Sequence, residues 1–507
     1  MDYYTLRKIV LRLSDVVKDA RILDVKDDGH LVELRTKRGV ILFSFIPEKS
    51  GLFFSEDGVI EGETKFSSSI AGIVKNMKVG KLGIEEGDRV VYLDLYRFDP
   101  LGRKRELRLV YEILGRFINL ILLEDGVIRF VKREMETEDR VITPGRIYFP
   151  PGKAQGETDL PYLSRDILSE IDGRGPDVVR SELYSLDFWE CEGKLVPLNI
   201  GGVLDRFEGN VFERFLKDLL NYIRRRNFQE RFNNAKRIIK KRIEKIERDI
   251  EKIKRDIPDP TEIERLHLWG TALLSYGKMA ERKGDFYLLP DPYTDKIIEI
   301  PVVGDLDPIS LANHYFKEYS SKKKSYGVAI ERLKEKERER IHLEELLWEL
   351  ENVKNEEELD DLYEVLFKLG LVKDGSDVLS RKFKPENVDR LYYSFDFGSF
   401  KVFVGKNAKG NDYVTFRLAC KDDLWFHVKG YPGAHVVMKA SEPVDSSYIE
   451  KVAGIALYFS RARYAGKGEV DYTRVRNVKR LGGVPGKVIY TDYKSIRVEV
   501  FNPFEGG

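Results

Sequence analysis

The sequence predicts a multidomain α+β protein with a long helical arm. Three patterns support this: short apolar runs between turn residues in residues 1–150, a heptad repeat of isoleucines in the middle, and Gly-punctuated apolar runs after residue 385. At 507 residues the chain has room for about three domains. Hydrophobic residues make up 42% and charged residues 34%, which excludes wholesale disorder.

Residues 1–152 predict an α+β domain. From Leu6 to Val17, apolar residues recur at three- and four-residue spacing, which is typical of an amphipathic helix packed on a sheet. Apolar runs such as 40–45 and 90–95 are bounded by turn residues and predict strands and hairpins. Prolines and glycines at the end of this region predict a linker.

The middle of the chain predicts a small helical hairpin followed by an antiparallel coiled-coil arm. Within residues 157–210, Ser164 is a helix cap and Gly173 a helix stop. Residues 211–375 contain two long helical stretches that predict the arm, with a small hairpin near 284–304. The seam of the first stretch steps by four and three residues through Ile239, Ile243, Ile246, Ile250, Ile253 and Ile257. Pro258 and Pro260 are expected to stop this helix.

Residues 385–507 predict a second α+β domain with a dense motif. Lys406 and the amides of the loop around it are candidates for holding a phosphate, and Trp425 and His427 for stacking on an RNA base. Strand alternation also allows one of Trp425 and Phe426 to be core. His427 and His435 flank a Pro-Gly turn, but no third ligand of suitable type lies nearby, so we expect no metal.

Local charge points to a polyanion, although the net charge is only +1. Residues 223–256 carry more than twice as many basic as acidic residues, and residues 459–490 carry 8 basic against 2 acidic residues. Two basic patches on separate domains favour RNA or DNA over a small ligand, because phosphate contacts accumulate along extended surfaces. The alternative for a charged helix is a solvated face.

Several classes are excluded. With only Cys191 and Cys420, the chain forms neither a disulfide framework nor a cysteine metal site. Residues 483–488 lack the spacer and the Ser or Thr of a phosphate-binding loop, and the HExxH and GxSxG patterns are missing. No long uncharged apolar stretch or signal peptide is visible, so we expect a cytoplasmic protein without a membrane partner.

Taken together, the motifs resemble the NFACT family, whose members include the bacterial RqcH proteins and the eukaryotic nuclear export mediator factor. The resemblance covers essentially the whole chain and favours a prokaryotic or archaeal member. The motifs that carry it are Gly87-Asp88-Arg89, Glu112-x-x-Gly115-Arg116-x-x-Asn119, residues 160–175, 269–274 and 311–319, Gly405 to Asn411, and Asp423 to Val437. It implies a glycosylase-like N-terminal domain, a helix-hairpin-helix-like module, the arm and a C-terminal RNA-binding domain.

The resemblance also implies a function. NFACT proteins bind large ribosomal subunits obstructed by peptidyl-tRNA and recruit tRNA, mostly alanine tRNA in bacterial and archaeal members. They support mRNA-independent C-terminal tailing of the nascent chain, while the ribosome catalyses peptidyl transfer, so we expect no enzyme and no cofactor. The residues implied in tRNA binding are Asp2, Asp88, Arg89 and Arg116. Those expected to bind RNA or the ribosome are Arg237, Lys241, Arg242, Lys245, Lys406, Asn407, Asn411, Trp425, His427, Lys429 and His435.

Three other functions remain open. A nucleic-acid glycosylase or lyase would share the N-terminal fold, but such enzymes use an N-terminal proline and residue 2 here is Asp2. An extracellular-matrix (fibronectin-binding) adhesin is an older label for some bacterial members, and no export signal is visible. A coiled-coil scaffold without RNA would leave the motif from Gly405 to His435 unexplained.

Overall fold

The computed structural model describes residues 1–115, 117–137, 140–151, 165–294, 296–373, 388–440 and 444–505. The chain divides into two compact units, Met1–Arg226 and Asn227–Gly507. The division into four domains made from the sequence stays a prediction.

The first unit contains two antiparallel sheets and two helices that share one core. Helix α1 (Tyr3–Val17) and helix α2 (Lys65–Val74) contribute to that core. The first sheet has the order β1-β2-β3-β4, with strands Ile22–Asp27, Leu31–Thr36, Gly39–Ser44 and Gly51–Ser55. The second has the order β5-β6-β7-β8-β9, with strands Lys78–Ile84, Val90–Phe98, Lys104–Leu114, Phe117–Glu124 and Val127–Val131.

The predicted N-terminal amphipathic helix is confirmed, and its sequence explains both its start and its buried face. Asp2 caps α1, since its carboxylate accepts from the Thr5 amide at 2.8 Å and so satisfies one of the free N–H groups of the first turn. Its three- and four-residue apolar stripe is buried, whereas Leu11 and Val16 lie off the stripe and are exposed; the buried residues are Leu6, Ile9, Val10, Leu13 and Val17. Removing these side chains from water is the main stabilisation of α1, at about 25 cal/mol per Å² of apolar surface.

The first unit also includes strands β10 (Met135–Glu136) and β11 (Val141–Ile142), helices α3 (Arg165–Arg174) and α4 (Pro176–Tyr184), and strands β12 (Trp189–Cys191) and β13 (Lys194–Val196). The predicted cap Ser164 lies outside the described residues.

Lys8 of α1 is fully buried and joins α1 to the segment after α3. Its ammonium group donates to the carbonyl oxygens of Glu182, Asp187 and Pro197 at 2.8, 2.6 and 2.6 Å. These three bonds offset the burial of its charge only in part, because burial still lowers the pKa of Lys8 to about 7.

The region predicted to form the arm contains four helices: α5 (Val211–Asp256), which begins in the first unit, α6 (Pro260–Tyr276), α7 (Pro308–Asn352) and α8 (Glu356–Lys368). The prolines predicted to stop the first helix do so: α5 ends before Pro258, and Pro260 is the first residue of α6. A proline is tolerated there because the first helical N–H has no intrahelical partner.

Within the second unit α5 and α7 run antiparallel. Three ion pairs follow that order: Lys236 with Glu351, Arg242 with Glu339, and Asp249 with Lys336. Ile239, Ile246 and Ile250 of the predicted seam are buried in a cluster with Leu343, Leu346 and Leu350. Ile253 and Ile257 are only partly buried, so the seam weakens toward the end of α5.

A small antiparallel sheet lies at the start of α7. Its order is β14-β15-β16, with strands Glu281–Lys283, Phe286–Pro290 and Ile297–Pro301. The sequence predicts a hairpin near 284–304, and the structure adds β14 to it. The sheet packs on α6 and α7, and Tyr315 fixes it by donating to the Pro301 carbonyl at 2.5 Å.

The last part of the chain forms a six-stranded sheet of order β17-β18-β20-β19-β21-β24, with helix α10 (Ser446–Tyr458) on one face. The strands are Tyr392–Asp396, Phe400–Gly405, Val436–Ala440, Leu424–Val428, Lys467–Arg474 and Lys494–Glu499. The hairpin β22–β23 (Val478–Arg480 and Val488–Tyr490) and the short helix α9 (Ala408–Tyr413) complete it. All strand pairs in this sheet are antiparallel.

Candidate RNA-binding sites

The turn Gly87-Asp88-Arg89 joins β5 to β6, and Gly87 has a φ of +74°. Asp88 is buried, and its carboxylate accepts from the Arg89 amide at 2.7 Å. The Arg89 carbonyl accepts from the Ile113 amide at 3.0 Å, which extends the pairing of β6 with β7 and anchors the turn to the second sheet. Arg89 itself is partly exposed.

The structure brings Asp2 close to this turn. Tyr3, the residue after Asp2, accepts a hydrogen bond at its phenol oxygen from the Gly87 amide at 3.2 Å. Burial lowers the pKa of the Met1 amino group, Arg89 lowers it further, and Asp2 opposes both effects. The contact between Tyr3 and Gly87 thus places the start of α1 against this turn, while the grouping of Asp2 with Asp88 and Arg89 stays a prediction.

Arg116 lies outside the described residues. Its motif partner Glu112 is buried and accepts from both terminal guanidinium nitrogens of Arg140, and from the Tyr148 hydroxyl at 2.6 Å. Glu112 therefore holds the segment after β9 against the sheet. The sequence offers no signal for this partner, because Arg140 lies 28 residues further along the chain.

Three of the four predicted basic residues on α5 are exposed: Arg237, Lys241 and Lys245, spaced four residues apart along one face. Arg242 is partly buried and forms its ion pair with Glu339 of α7. The exposed three form a cationic row that a phosphate backbone can reach.

The loop from Gly405 to Asn411 differs from its predicted role as a phosphate loop. The amides of Gly405, Lys406, Gly410 and Asn411 donate to oxygens of the chain itself. Asn407 caps α9 by accepting from the Gly410 amide at 2.8 Å. These amides are therefore already hydrogen-bonded and do not offer a phosphate site. Among the predicted phosphate ligands, Lys406 keeps an exposed side chain, and its Nζ lies 4.3 Å from the Tyr393 ring centroid.

A carboxylate occupies the N-terminus of α9. Glu349 of α7 accepts from the Ala408 amide at 2.8 Å, which is the position an anionic ligand would take at a helix start. Burial raises the pKa of Glu349 to about 8; the Ala408 amide opposes this shift, while the nearby carboxylates of Asp361 and Glu345 add to it.

Trp425 has no exposed surface, which corrects the expectation that its face stacks on RNA. Its ring stacks on His427 at 5.8 Å between centroids and contacts His435 and Tyr490 at 5.0 and 4.9 Å. Phe426 is buried as well, because both faces of β19 are covered: Phe426 lies in the core with α10, and Trp425 in a second cluster with Val475 and Val478. Sequence alternation allowed only one of the two to be core.

His427 and His435 do approach each other, with ring centroids 5.6 Å apart. His435 is buried, and its Nδ1 lies 2.9 Å from the Thr415 hydroxyl, while its amide donates to Asn411 at 2.9 Å. Burial, together with the nearby His427, lowers the pKa of His435 to about 3. Asn411 and His435 therefore stabilise the interior of this domain by hydrogen bonds to each other and to Thr415. Lys429 lies at the surface and forms an ion pair with Glu469 at 3.1 Å.

The acidic residues that join α7 and α8 to the last sheet were not predicted. Glu345 lies 3.4 Å from His427 Nε2 and 3.3 Å from His342 Nδ1. Burial alone would raise the pKa of Glu345, but the hydrogen bonds from His342 and His427 hold it at about 2. Asp361 accepts from Arg390 and Lys409, each at 2.8 Å. We call Glu345, Glu349 and Asp361 with their partners the joint.

Within the described ranges, no cluster of three or more His, Cys, Asp or Glu residues could hold a metal ion. In the same part of the chain, no helix is both long enough and apolar enough to cross a membrane.

A family model described as the NFACT N-terminal and middle domains matches residues 2–174 and 211–384. The "Rqc2 homolog RqcH" of Bacillus subtilis is 30% identical over 321 residues, which cover 62% of this chain and 54% of that protein. The protein of the same name from Streptococcus pneumoniae is 25% identical over 455 residues, covering 82% of this chain and 81% of its own. The solved C-terminal part of the fibronectin/fibrinogen-binding protein from Streptococcus suis is 24% identical, with a TM-score of 0.37, and covers 54% of this chain and 96% of its own.

Proposed function

Because the chain belongs to the NFACT family, we propose that it is a ribosome quality-control factor. In this role it binds large ribosomal subunits that still carry peptidyl-tRNA and recruits a tRNA, with alanine tRNA as the expected species. The stalled nascent chain is then extended at its C-terminus without mRNA. Peptidyl transfer is left to the ribosome, so the protein acts by binding and positioning in the cytoplasm.

The observation that carries the tRNA part of this proposal is the turn at Asp88 and Arg89. The buried Asp88 carboxylate accepts from the Arg89 backbone amide, which fixes the backbone of the turn that carries the partly exposed Arg89 side chain. A planar guanidinium makes paired hydrogen bonds to phosphates or to base edges, which suits recognition of a folded RNA. Asp2 immediately precedes Tyr3, whose phenol oxygen accepts from the Gly87 amide of this turn.

Removing this pair tests the proposal. We expect the double variant Asp88→Ala with Arg89→Ala to fold but to lose its co-purifying tRNA, measured by sequencing the RNA bound to protein isolated at low salt. The matched control removes another Asp–Arg pair of the same sheet, Asp94→Ala with Arg108→Ala, whose side chains are 2.6 Å apart at the surface. Equal tRNA recovery from both double variants would contradict the assignment.

The ribosome-binding part of the proposal is supported by the cationic row on α5. Reversing its three charges with Arg237→Glu, Lys241→Glu and Lys245→Glu should weaken binding to isolated large subunits. The slope of log K against log salt should become shallower, because up to about three phosphate contacts are lost. Each contact contributes roughly 0.9 to the slope for duplex nucleic acid. The control makes the same change at exposed positions of α7: Lys323→Glu, Lys324→Glu and Lys334→Glu.

The identity of the bound RNA separates the alternatives. Large-subunit rRNA together with one tRNA species would support the proposal and name the residue that is added. A wild-type protein that carries no RNA and is recovered chiefly outside the cell would instead favour the adhesin function.

A further inference from the structure

A cleft of about 310 Å³ lies where α7 meets the last sheet, within the second unit. This volume falls in the range of small-ligand sites, about 300–1,000 Å³. Part of its lining is apolar, from Ile341 of α7, Val428 of β19 and Val488 of β23. Such a surface favours a planar, largely apolar group over a strongly hydrated ion.

Two tyrosines offer an aromatic wall to this cleft. The rings of Tyr490 and Tyr493 have centroids 5.2 Å apart at 79°, and Tyr493 is 49% exposed. The Tyr490 hydroxyl donates to buried Asp471 at 2.8 Å, and Asp471 also accepts from Ser495 at 2.6 Å. The position of the Tyr490 ring is therefore fixed before any ligand arrives. Aromatic walls of this kind stack on nucleic-acid bases.

Two buried polar atoms belong to residues that line the same cleft. Trp425 Nε1 and His342 Nε2 have no hydrogen-bond partner among the described residues, although both side chains are more than nine-tenths buried. Buried polar groups are nearly always paired, so two unpaired ones at one cleft indicate a ligand with a polar edge. A nucleobase combines such an edge with an apolar face.

The charges around the cleft fit an anion. Arg338 and Lys487 line it, and the carboxylate of Glu345, which also lines it, is already engaged by His342 and His427. A phosphate attached to the base would therefore meet two cations, and the one acidic group is already balanced by its own partners.

From these four features we infer that the cleft binds a single unstacked nucleotide, with its base against Tyr490 and Tyr493 and its phosphate at Arg338 and Lys487. This inference rests on the proposed RNA-binding function and adds a specific site to it. The nucleotide comes either from an RNA strand, as one base turned out of its stack, or from a free nucleotide.

The test uses the full chain and two probes. The first is a short single-stranded RNA containing 4-thiouridine, irradiated with the protein and mapped by mass spectrometry. The second is titration calorimetry with AMP and UMP. The cleft variant is Tyr493→Ala with Lys487→Gln. The matched control is Tyr464→Ala with Lys467→Gln, which removes an exposed tyrosine and an exposed lysine that do not line the cleft.

We expect crosslinks on the segment from Lys487 to Tyr493, reduced about tenfold or more in the cleft variant and unchanged in the control. Calorimetric binding of AMP or UMP without crosslinks at this segment would support the cleft as a site for a free nucleotide. Two results would overturn the inference. One is the absence of both crosslinks at this segment and mononucleotide binding; the other is an equal loss of these signals in the cleft variant and the control. Since Asp88 and Arg89 are untouched, tRNA recovery with these variants reports separately on the proposed function.

Discussion

Replacing Glu349 by Gln tests the energetics of the joint. Glu349 accepts from the Ala408 amide at 2.8 Å, and burial is the main cause that raises its pKa from 4.5 to about 8. An acid with a raised pKa in the folded protein keeps its proton to higher pH than the unfolded chain does. The folded state is therefore most favoured below pH 4.5 and loses stability as the pH rises toward 8.

The magnitude follows from that interval. The difference between 4.5 and 8 corresponds to an upper bound of about 5 kcal/mol at roughly 1.36 kcal/mol per pKa unit. Glu349 is only partly buried, so solvent screening reduces this to about 1–2 kcal/mol. Gln has nearly the same shape, keeps an oxygen for the Ala408 amide and carries no charge, so Glu349→Gln should recover this amount at pH 8.

The assay is thermal unfolding of the full chain at pH 5 and pH 8, followed by tryptophan fluorescence. We expect Glu349→Gln to raise the Tm at pH 8 by about 2–3 °C and to leave it nearly unchanged at pH 5. The control Glu335→Gln changes an exposed carboxyl of the same helix and should show no such pH dependence. The same Tm change at both pH values, or a lower Tm at pH 8, would refute the reasoning.

Three further changes test the same region. Asp361→Ala should lower the free energy of unfolding by about 2–4 kcal/mol in urea titrations, because Arg390 and Lys409 lose the buried carboxylate that accepts their hydrogen bonds. Asp361→Asn keeps an oxygen for these donors, so a smaller effect of Asp361→Ala than of Asp361→Asn would contradict the prediction. Gly405→Ala should cost about 2 kcal/mol or more, because the new Cβ would lie 2.5 Å from Asn411 N, whereas Gly327→Ala, in open surroundings on α7, should stabilise by about 1 kcal/mol. In the wild type, His435 lowers the stability as the pH falls below 6.5, because the unfolded chain then binds a proton that the buried His435 does not bind. The variant His435→Asn should remove this loss, and an unchanged slope of Tm against pH would contradict the prediction.

Much of the fold follows from the sequence because its signals are local. The spacing from Leu6 to Val17, the isoleucine repeat of α5 and the proline stops each act within a few residues, and each corresponds to an element of the structure. The candidate sites were harder to predict from the sequence. Glu349 meets an amide 59 residues later, and in the sequence it looks like any solvated carboxylate of a charged helix. Alternation could not show that both faces of β19 are covered, so the burial of Trp425 required the structure.

Helix α7 connects the small β14–β16 sheet with the joint. Its 45 residues span about 68 Å at 1.5 Å per residue, and no proline interrupts it after Pro308. A straight helix enlarges any rotation about one of its ends: a tilt of about 5° about Glu349 would move the N-terminal end by about 5 Å. The contacts of Glu345 and Glu349 with the last sheet therefore set the direction in which α7 presents the small sheet.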